Sequence, residues 1–339
     1  MTQLYLHPMI EDYFVEYDFA EVLRSPADGG PGDLRRRVMQ DYAQEKLILL
    51  RGVRLDYDRR FISSLRFPPA WTFKKFQTAA VERRRPYLFS RPKRALCKAL
   101  FGGDIGRYLK FQAEVRRVNG ALRGVLDQLL AHHRVGASEF VWRHTETRVE
   151  NLHFDVDEGA DDYEAVRLYL NMDDAPRIWQ TTHPLSRLYR AYRGELGLDR
   201  HEGPSEKLLS TLGRRLFGNW ATRGREQFPH HVVLFEPDDI WLCDGRAVPH
   251  QVIYGRRVVS SFYRLDNAGL PAWHPPIAAR LAAWRQEEAD SRPDLGVPGF
   301  SFPFPPEGPP VGYGPVRRDL KLNWREHSAA SSGPGLVRL

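Results

Sequence analysis

The chain has 339 residues, 42% hydrophobic and 12% aromatic, with a formal net charge of +7, which provides enough apolar material for one sizeable core with extensions. No run is long and apolar enough to cross a membrane, and the acid-bearing start MTQLYLHPMIEDYF lacks the basic-then-apolar order of a signal peptide. Two cysteines, Cys97 and Cys243, exclude a disulfide framework, so the expectation is a cytoplasmic protein without a membrane partner.

The 25 prolines and 27 glycines favour short strands and turns over a helical bundle. EKLILLRGVRL (Glu45–Leu55) reads as a strand, an apolar run ending at a Gly-containing turn. From about Phe73 to His133 the spacing is helical. Leu109, Val115, Val118, Leu122, Val125, Leu129 and Leu130 recur there as a core-facing stripe. From Glu139 the period becomes two through SEFVWRHTETRVENLHFDVD (Ser138–Asp157). Further strands are predicted at EAVRLYLNM (Glu164–Met172), HHVVLFEP (His230–Pro237), DIWLCDG (Asp239–Gly245) and RRVVSSFYRLD (Arg256–Asp266), with a tight hairpin turn at Pro237–Asp239. A mostly helical insertion spans 184–227. A short helix, IAARLAAWRQEEAD, precedes a Pro/Gly-rich tail that cannot be helical.

The chain therefore divides into an N-terminal strand and helical support (1–137), a β core (138–268) and a C-terminal helix and tail (269–339), an α+β arrangement. Its arginine clusters at Arg35–Arg37, Arg83–Arg85 and Arg91–Arg94 are interspersed with acids. They read as solvated surface, and no nucleic-acid partner is expected.

The chemistry centres on NLHFDVDE (Asn151–Glu158). Residues two apart on a strand share a face, so His153 and Asp155 present an imidazole and a carboxylate side by side, with Phe154 turned away. His250 in PHQV is the best third ligand. Two histidines and one carboxylate on one face of an octahedron suit Fe(II) and leave three adjacent positions open. On Glu164–Met172, Arg167, Tyr169 and Asn171 share the face opposite Val166, Leu168 and Leu170. On the last strand Arg257 shares a face with Val259, Ser261 and Tyr263, where a guanidinium can take a carboxylate in a bidentate fork.

In this order His153-Phe154-Asp155, LYLN at 168–171, PHQV with His250 and Gly255-Arg256-Arg257 resemble the Fe(II)- and 2-oxoglutarate-dependent dioxygenases with a double-stranded β-helix (jelly-roll, cupin-like) core. Within that superfamily the pattern is similar to prolyl-hydroxylase-like members and, through APRIWQ (Ala175–Gln180), to the 3-deoxy-D-manno-octulosonic acid (Kdo) hydroxylases. The resemblance covers about Ser138–Asp266. It implies that His153, Asp155 and His250 hold Fe(II), that Arg257 pairs with the distal carboxylate of 2-oxoglutarate, and that Tyr169, with Asn171 nearby, assists. The His250-to-Arg257 interval is shorter than the family's, which leaves Arg256 and Arg167 as alternatives for that carboxylate. The implied reaction consumes O2 and 2-oxoglutarate and oxidises an unactivated C–H bond of a small molecule, a sugar or natural-product intermediate. Hydroxylation is the default outcome, and desaturation, cyclisation and epoxidation use the same iron. The retained Asp155 implies oxygenation in place of halogenation.

Other classes stay open on the sequence. A non-catalytic cupin-like binder of metal or small molecules would share these elements, and so would a zinc hydrolase, although no further acid or base is positioned to activate water. His144 reads as a satisfied buried histidine; His132, His133, His230 and His231 lack metal spacing; Trp179 reads as packing. Oligomeric state is not legible.

Overall fold

The computed structural model describes residues 2–7, 10–66, 76–82, 87–144, 152–156, 158–201, 203–217, 228–287 and 337–338. The Arg83–Arg85 cluster, residues 145–151 of the long alternating stretch, the end of the helical insertion and nearly all of the tail lie outside them. In chain order the first elements are β1 (Gln3–Leu6), β2 (Phe14–Asp18), α1 (Phe19–Arg24), α2 (Leu34–Ala43), β3 (Leu47–Arg51), α3 (Arg59–Ser64), β4 (Phe76–Gln77), α4 (Ala79–Glu82), α5 (Arg91–Phe101) and α6 (Ile105–Leu129). Asp18, Asp33 and Asp104 each cap the helix that follows by accepting backbone N–H groups.

The stripe expected on α6 is present but rotated at its start. Tyr108, Phe111, Val115, Val118, Leu122, Val125, Leu126 and Leu129 are buried, whereas Leu109 is 47% exposed. The two aromatics, one position before and two after it, own the core-facing azimuth.

The β core comprises β5 (Val135–Arg143), β6 (Tyr163–Val166), β7 (Leu168–Asn171), β8 (Arg177–Thr181), β9 (His231–Phe235), β10 (Ile240–Leu242), β11 (His250–Tyr254) and β12 (Val258–Asp266). Between β8 and β9 lie α7 (Leu185–Tyr192) and α8 (Ser205–Phe217); α9 (Ile277–Gln286) and β13 (Val337–Arg338) follow β12. One sheet runs β2-β3-β10-β7-β12-β5-β4, with β6 also on β12, and the other runs β11-β8-β9-β1-β13. All pairings are antiparallel except β2 with β3.

Each face of the first sheet has its own core. Ile48, Leu168, Leu170, Ile240, Leu242, Val259 and Tyr263 pack on α2, α5 and α6. From the opposite faces, Leu49, Tyr169, Trp241 and Val258 meet Trp179, Val233, Phe235 and Val252 of the second sheet. Alternation with period two produces this division. A third cluster joins α7, α8 and α9 to Leu152 and Phe154.

Two expectations are corrected. The turn at Pro237–Asp239 is not a hairpin, because β9 and β10 belong to different sheets. It is a corner carrying the chain across the sandwich, with Asp238 at φ 67° and the Asp239 N–H on the Glu236 carbonyl. The stretch Glu164–Met172 is two strands, interrupted at Arg167.

Behind β10 the turn at 243–248 is anchored by a fully buried ionic network. Arg246 pairs with Glu164 of β6 at 2.5 Å and with Asp244 at 3.0 Å, and Arg280 of α9 reaches Glu164 at 3.3 Å and Asp244 at 3.1 Å. Removing one member strands an opposite charge in a site that water does not reach. We expect Arg246→Met to lower unfolding free energy by about 3–5 kcal/mol in urea titration; unchanged stability would contradict the network's role.

Candidate metal centre

His153 forms an isolated antiparallel bridge with His250, the first residue of β11. The His153 N–H donates to the His250 carbonyl at 3.2 Å and the His250 N–H to the His153 carbonyl at 3.0 Å. Two residues on, the Asp155 N–H donates to the Gly245 carbonyl at 2.7 Å. Phe154, between them, points away and packs on Phe217 of α8, ring centroids 5.5 Å apart. The segment is thus fixed along its length, and the side chains of His153, Asp155 and His250 converge, with one potential ligand atom from each within 4.8 Å of the others.

His153 Nε2 lies 3.9 Å from Asp155 Oδ1 and His250 Nε2 4.0 Å from Asp155 Oδ2. His250 is oriented twice over: its ring stacks on Trp179 (4.7 Å, 18°), and its Nδ1 sits 3.2 Å from the Val248 carbonyl. A carbonyl only accepts, so Nδ1 carries the proton and Nε2 keeps its lone pair toward Asp155. Burial lowers the His250 pKa to about 4, so the ring is neutral at pH 7, as a ligand must be. Gly245 makes room for the cluster. A Cβ there would fall 2.3 Å from Asp155 Oδ2 and 3.1 Å from His250 Cε1.

A cavity between the sheets opens on this cluster, lined also by Arg143, Arg167, Tyr169, Arg177, Trp179 and Ser260. Arg167 Nη1 is 3.1 Å from Asp155 Oδ2. Tyr169 stacks on Trp241 (5.3 Å, 11°), and burial pushes its phenol pKa up. Arg177 of β8 is 2% exposed and lies under Gly255, where a Cβ would come within 2.3 Å of Nη1.

Arg257, Arg256 and Asn171 are placed elsewhere. Arg257 Nη1 binds Asp173 Oδ1 at 2.8 Å, and its Nη2 binds the Ser63 carbonyl at 2.6 Å. Arg256 binds the same Asp173 at 2.9 and 3.0 Å, and also Asp174. Asn171 staples the following turn, donating to the Ala175 and Phe235 carbonyls and accepting from the Asp173 N–H. The physical reason is strand phase. Val258 and Ser260 of β12 line the cavity while Val259 and Tyr263 join the helical core, so Arg257 falls on the outer side.

That phase, with Val258 opposite Arg143, turns Arg143 inward instead. Arg143 and Arg177 were not singled out by sequence reasoning, although Arg143 sits in a recognised alternating strand and Arg177 in the APRIWQ motif. His144 is buried on the Trp142 ring (5.6 Å, 23°), with its pKa lowered to about 3 by burial. No described helix is long and apolar enough to span a membrane.

The sequence matches no protein-family model and no curated protein. Solved structures match over most of the chain. The Kdo hydroxylase KdoO, a non-heme Fe(II) alpha-ketoglutarate-dependent dioxygenase, in complex with succinate and Fe(III), aligns with TM-score 0.56 and 12% identity, covering 83% of this chain and 98% of that one. Its complexes with alpha-ketoglutarate and Fe(III) and with cobalt(II) align at TM-scores 0.54 and 0.53, with the same identity and coverage. The likeness shows a shared fold.

Burial also lowers the pKa of His133 and His231 to about 4 and of His274 to about 3, alongside His144 and His250. A histidine whose folded pKa lies below its unfolded 6.5 adds stability that is complete above pH 6.5 and lost as pH falls toward the folded value. Glu45, pushed up to about 7 by burial, and Glu164, also raised, work the opposite way, but they are outnumbered. We expect the urea midpoint of the metal-free protein to drop as pH is lowered from 6.5 to 4.5. A flat or rising midpoint would contradict these buried neutral rings.

Proposed function

We propose that this protein is an Fe(II)- and 2-oxoglutarate-dependent dioxygenase that hydroxylates an unactivated C–H bond of a small molecule. The carrying observation is the convergence of His153, Asp155 and His250 beside a cavity lined by three arginines. The donor set fits the metal, since two imidazoles and one carboxylate on one side suit Fe(II) with positions left over. The charge fits the co-substrate, because the lining carries three guanidiniums against the single carboxylate of Asp155. The strand order supports a double-stranded β-helix: four antiparallel strands, β5, β12, β7 and β10, face β11, β8 and β9, and the His153 segment extends the second sheet beyond β11.

In this reading His153, Asp155 and His250 hold the iron. Arg177, buried deep on β8, takes the distal carboxylate of 2-oxoglutarate, with Arg143 and the Tyr169 hydroxyl beside it. Arg257 and Arg256 are engaged by Asp173, with Arg257 also on the Ser63 carbonyl, and play a structural part. When bound, the iron supplies the dioxygen activation that couples decarboxylation of 2-oxoglutarate to succinate with insertion of one oxygen atom into the C–H bond. Trp179 holds the His250 ring in place, and the apolar packing of Phe154 under α8 keeps the ligand segment in register. The side-chain exposure of His153, 38%, marks the open flank through which a substrate approaches. The neighbours' action on Kdo makes a sugar the first substrate class to screen.

Anaerobic addition of Fe(II) and 2-oxoglutarate is expected to give a visible charge-transfer band that Asp155→Ala and His250→Ala abolish; no band in the wild type would contradict the assignment. Arg177→Gln should weaken 2-oxoglutarate binding at least about tenfold, as losing a buried charge-assisted pair does, whereas Arg257→Gln should leave it unchanged. The reverse result in a binding titration would return the co-substrate to Arg257.

A further inference from the structure

We infer that Arg167 is the positioning residue that keeps Asp155 a one-oxygen ligand, by claiming the carboxylate's second oxygen. The inference rests on the metal-centre reading above. The residue is held from three sides, twice through its backbone and once through its guanidinium. Its backbone N–H donates to the Tyr42 hydroxyl at 3.1 Å, and its carbonyl accepts from the Cys243 N–H at 3.3 Å, which pins the break between β6 and β7. Its guanidinium carbon lies 4.7 Å over the Phe262 ring of β12. The end of the fork then reaches Asp155 Oδ2 at 3.1 Å, on a side chain only 13% exposed.

Asp155 has little other freedom. Its N–H is tied to the Gly245 carbonyl at 2.7 Å, and its carboxylate lies against the bare α-carbon of Gly245, where a Cβ would stand 2.3 Å from Oδ2. Oδ2 lies 4.0 Å from His250 Nε2 but is held by the closer Arg167, so Oδ1, 3.9 Å from His153 Nε2, is the oxygen left to face an ion. The distinction matters because a carboxylate can bind through one oxygen or two. A two-oxygen Asp155 would use one of the three coordination positions that a bidentate co-substrate and dioxygen need. Arginine suits this role because it keeps its charge at any working pH, and its planar fork holds a direction that lysine's rotating ammonium does not. The same contact explains why Arg167, though it lines the cavity, is committed before a co-substrate arrives.

The test is Co(II) binding by the purified chain, read by calorimetry and by the cobalt absorption spectrum, with no turnover involved. Wild type should bind one Co(II). Arg167→Gln should bind it about 10- to 100-fold more weakly, the usual cost of losing a group that orients a ligand, and with an altered spectrum as Asp155 changes its binding mode. Arg167→Lys should recover part of the affinity but not the wild-type spectrum. Phe262→Leu, which removes the ring beneath the guanidinium and keeps its charge, should shift both readouts in the same direction by less. Wild-type affinity and spectrum in Arg167→Gln would overturn the inference while leaving the metal centre standing. Should Arg167→Gln not fold, the same result in Phe262→Leu overturns it. A wild-type chain that takes up no Co(II) removes the metal centre itself, and this inference with it.

Discussion

The site depends on one short piece of backbone pairing. His153 and His250 exchange both N–H···O bonds, and the Asp155 N–H closes on the Gly245 carbonyl. In such a hydrogen-bonded antiparallel pair the two side chains leave on the same side of the sheet, which brings the histidine rings to 4.7 Å. Because strand side chains alternate, a slip of one residue would replace His153 with Leu152 or Phe154. Burial of those two apolar residues among α7, α8 and α9 makes the slipped registers costly. The insertion thus contributes to the site by holding a strand in phase.

The surroundings of that pairing are of two kinds. On the cavity side, Trp179 meets Tyr169 and Trp241 edge-on (5.2 and 5.4 Å) and lies flat against His250, while Phe235 stacks on Trp241 at 3.8 Å. These rings have few rotatable bonds and fix the His250 imidazole by contact. Behind the turn that carries Gly245, charge replaces aromatic packing. The Glu164, Asp244, Arg246 and Arg280 network ties β6, the turn and α9 together with no member exposed beyond 6%. Packing a bare glycine α-carbon against the Asp155 carboxylate requires a turn that does not breathe, and multiple buried ion pairs supply directional restraint that apolar contacts lack.

Much of this was legible in the sequence because it follows from period two. The His153 and Asp155 pairing with Phe154 reversed, the Leu168 and Leu170 core face opposite Tyr169, and the convergence of His250 from PHQV on that pair all come from alternation and order. What was not legible required knowing what a strand end meets in space. Arg257 and Arg256 carry the side chains expected of a carboxylate site, yet Asp173 and Asp174, far earlier in the chain, take them both. Strand β8 is five residues long and wholly buried, so it shows no alternation, and it follows an Asp-Asp-Ala-Pro turn that reads as loop. Missing β8 hid Arg177. The corner at Pro237–Asp239 looks locally like any hairpin, and only the partners of β9 and β10 distinguish the two.

The most direct test of the account is an anomalous-scattering experiment on crystals grown anaerobically with Mn(II) as a stand-in for Fe(II), collected on either side of the manganese edge. The account requires a single strong anomalous peak within bonding distance of His153 Nε2, one Asp155 oxygen and His250 Nε2. A peak elsewhere, or none at saturating metal, would contradict it.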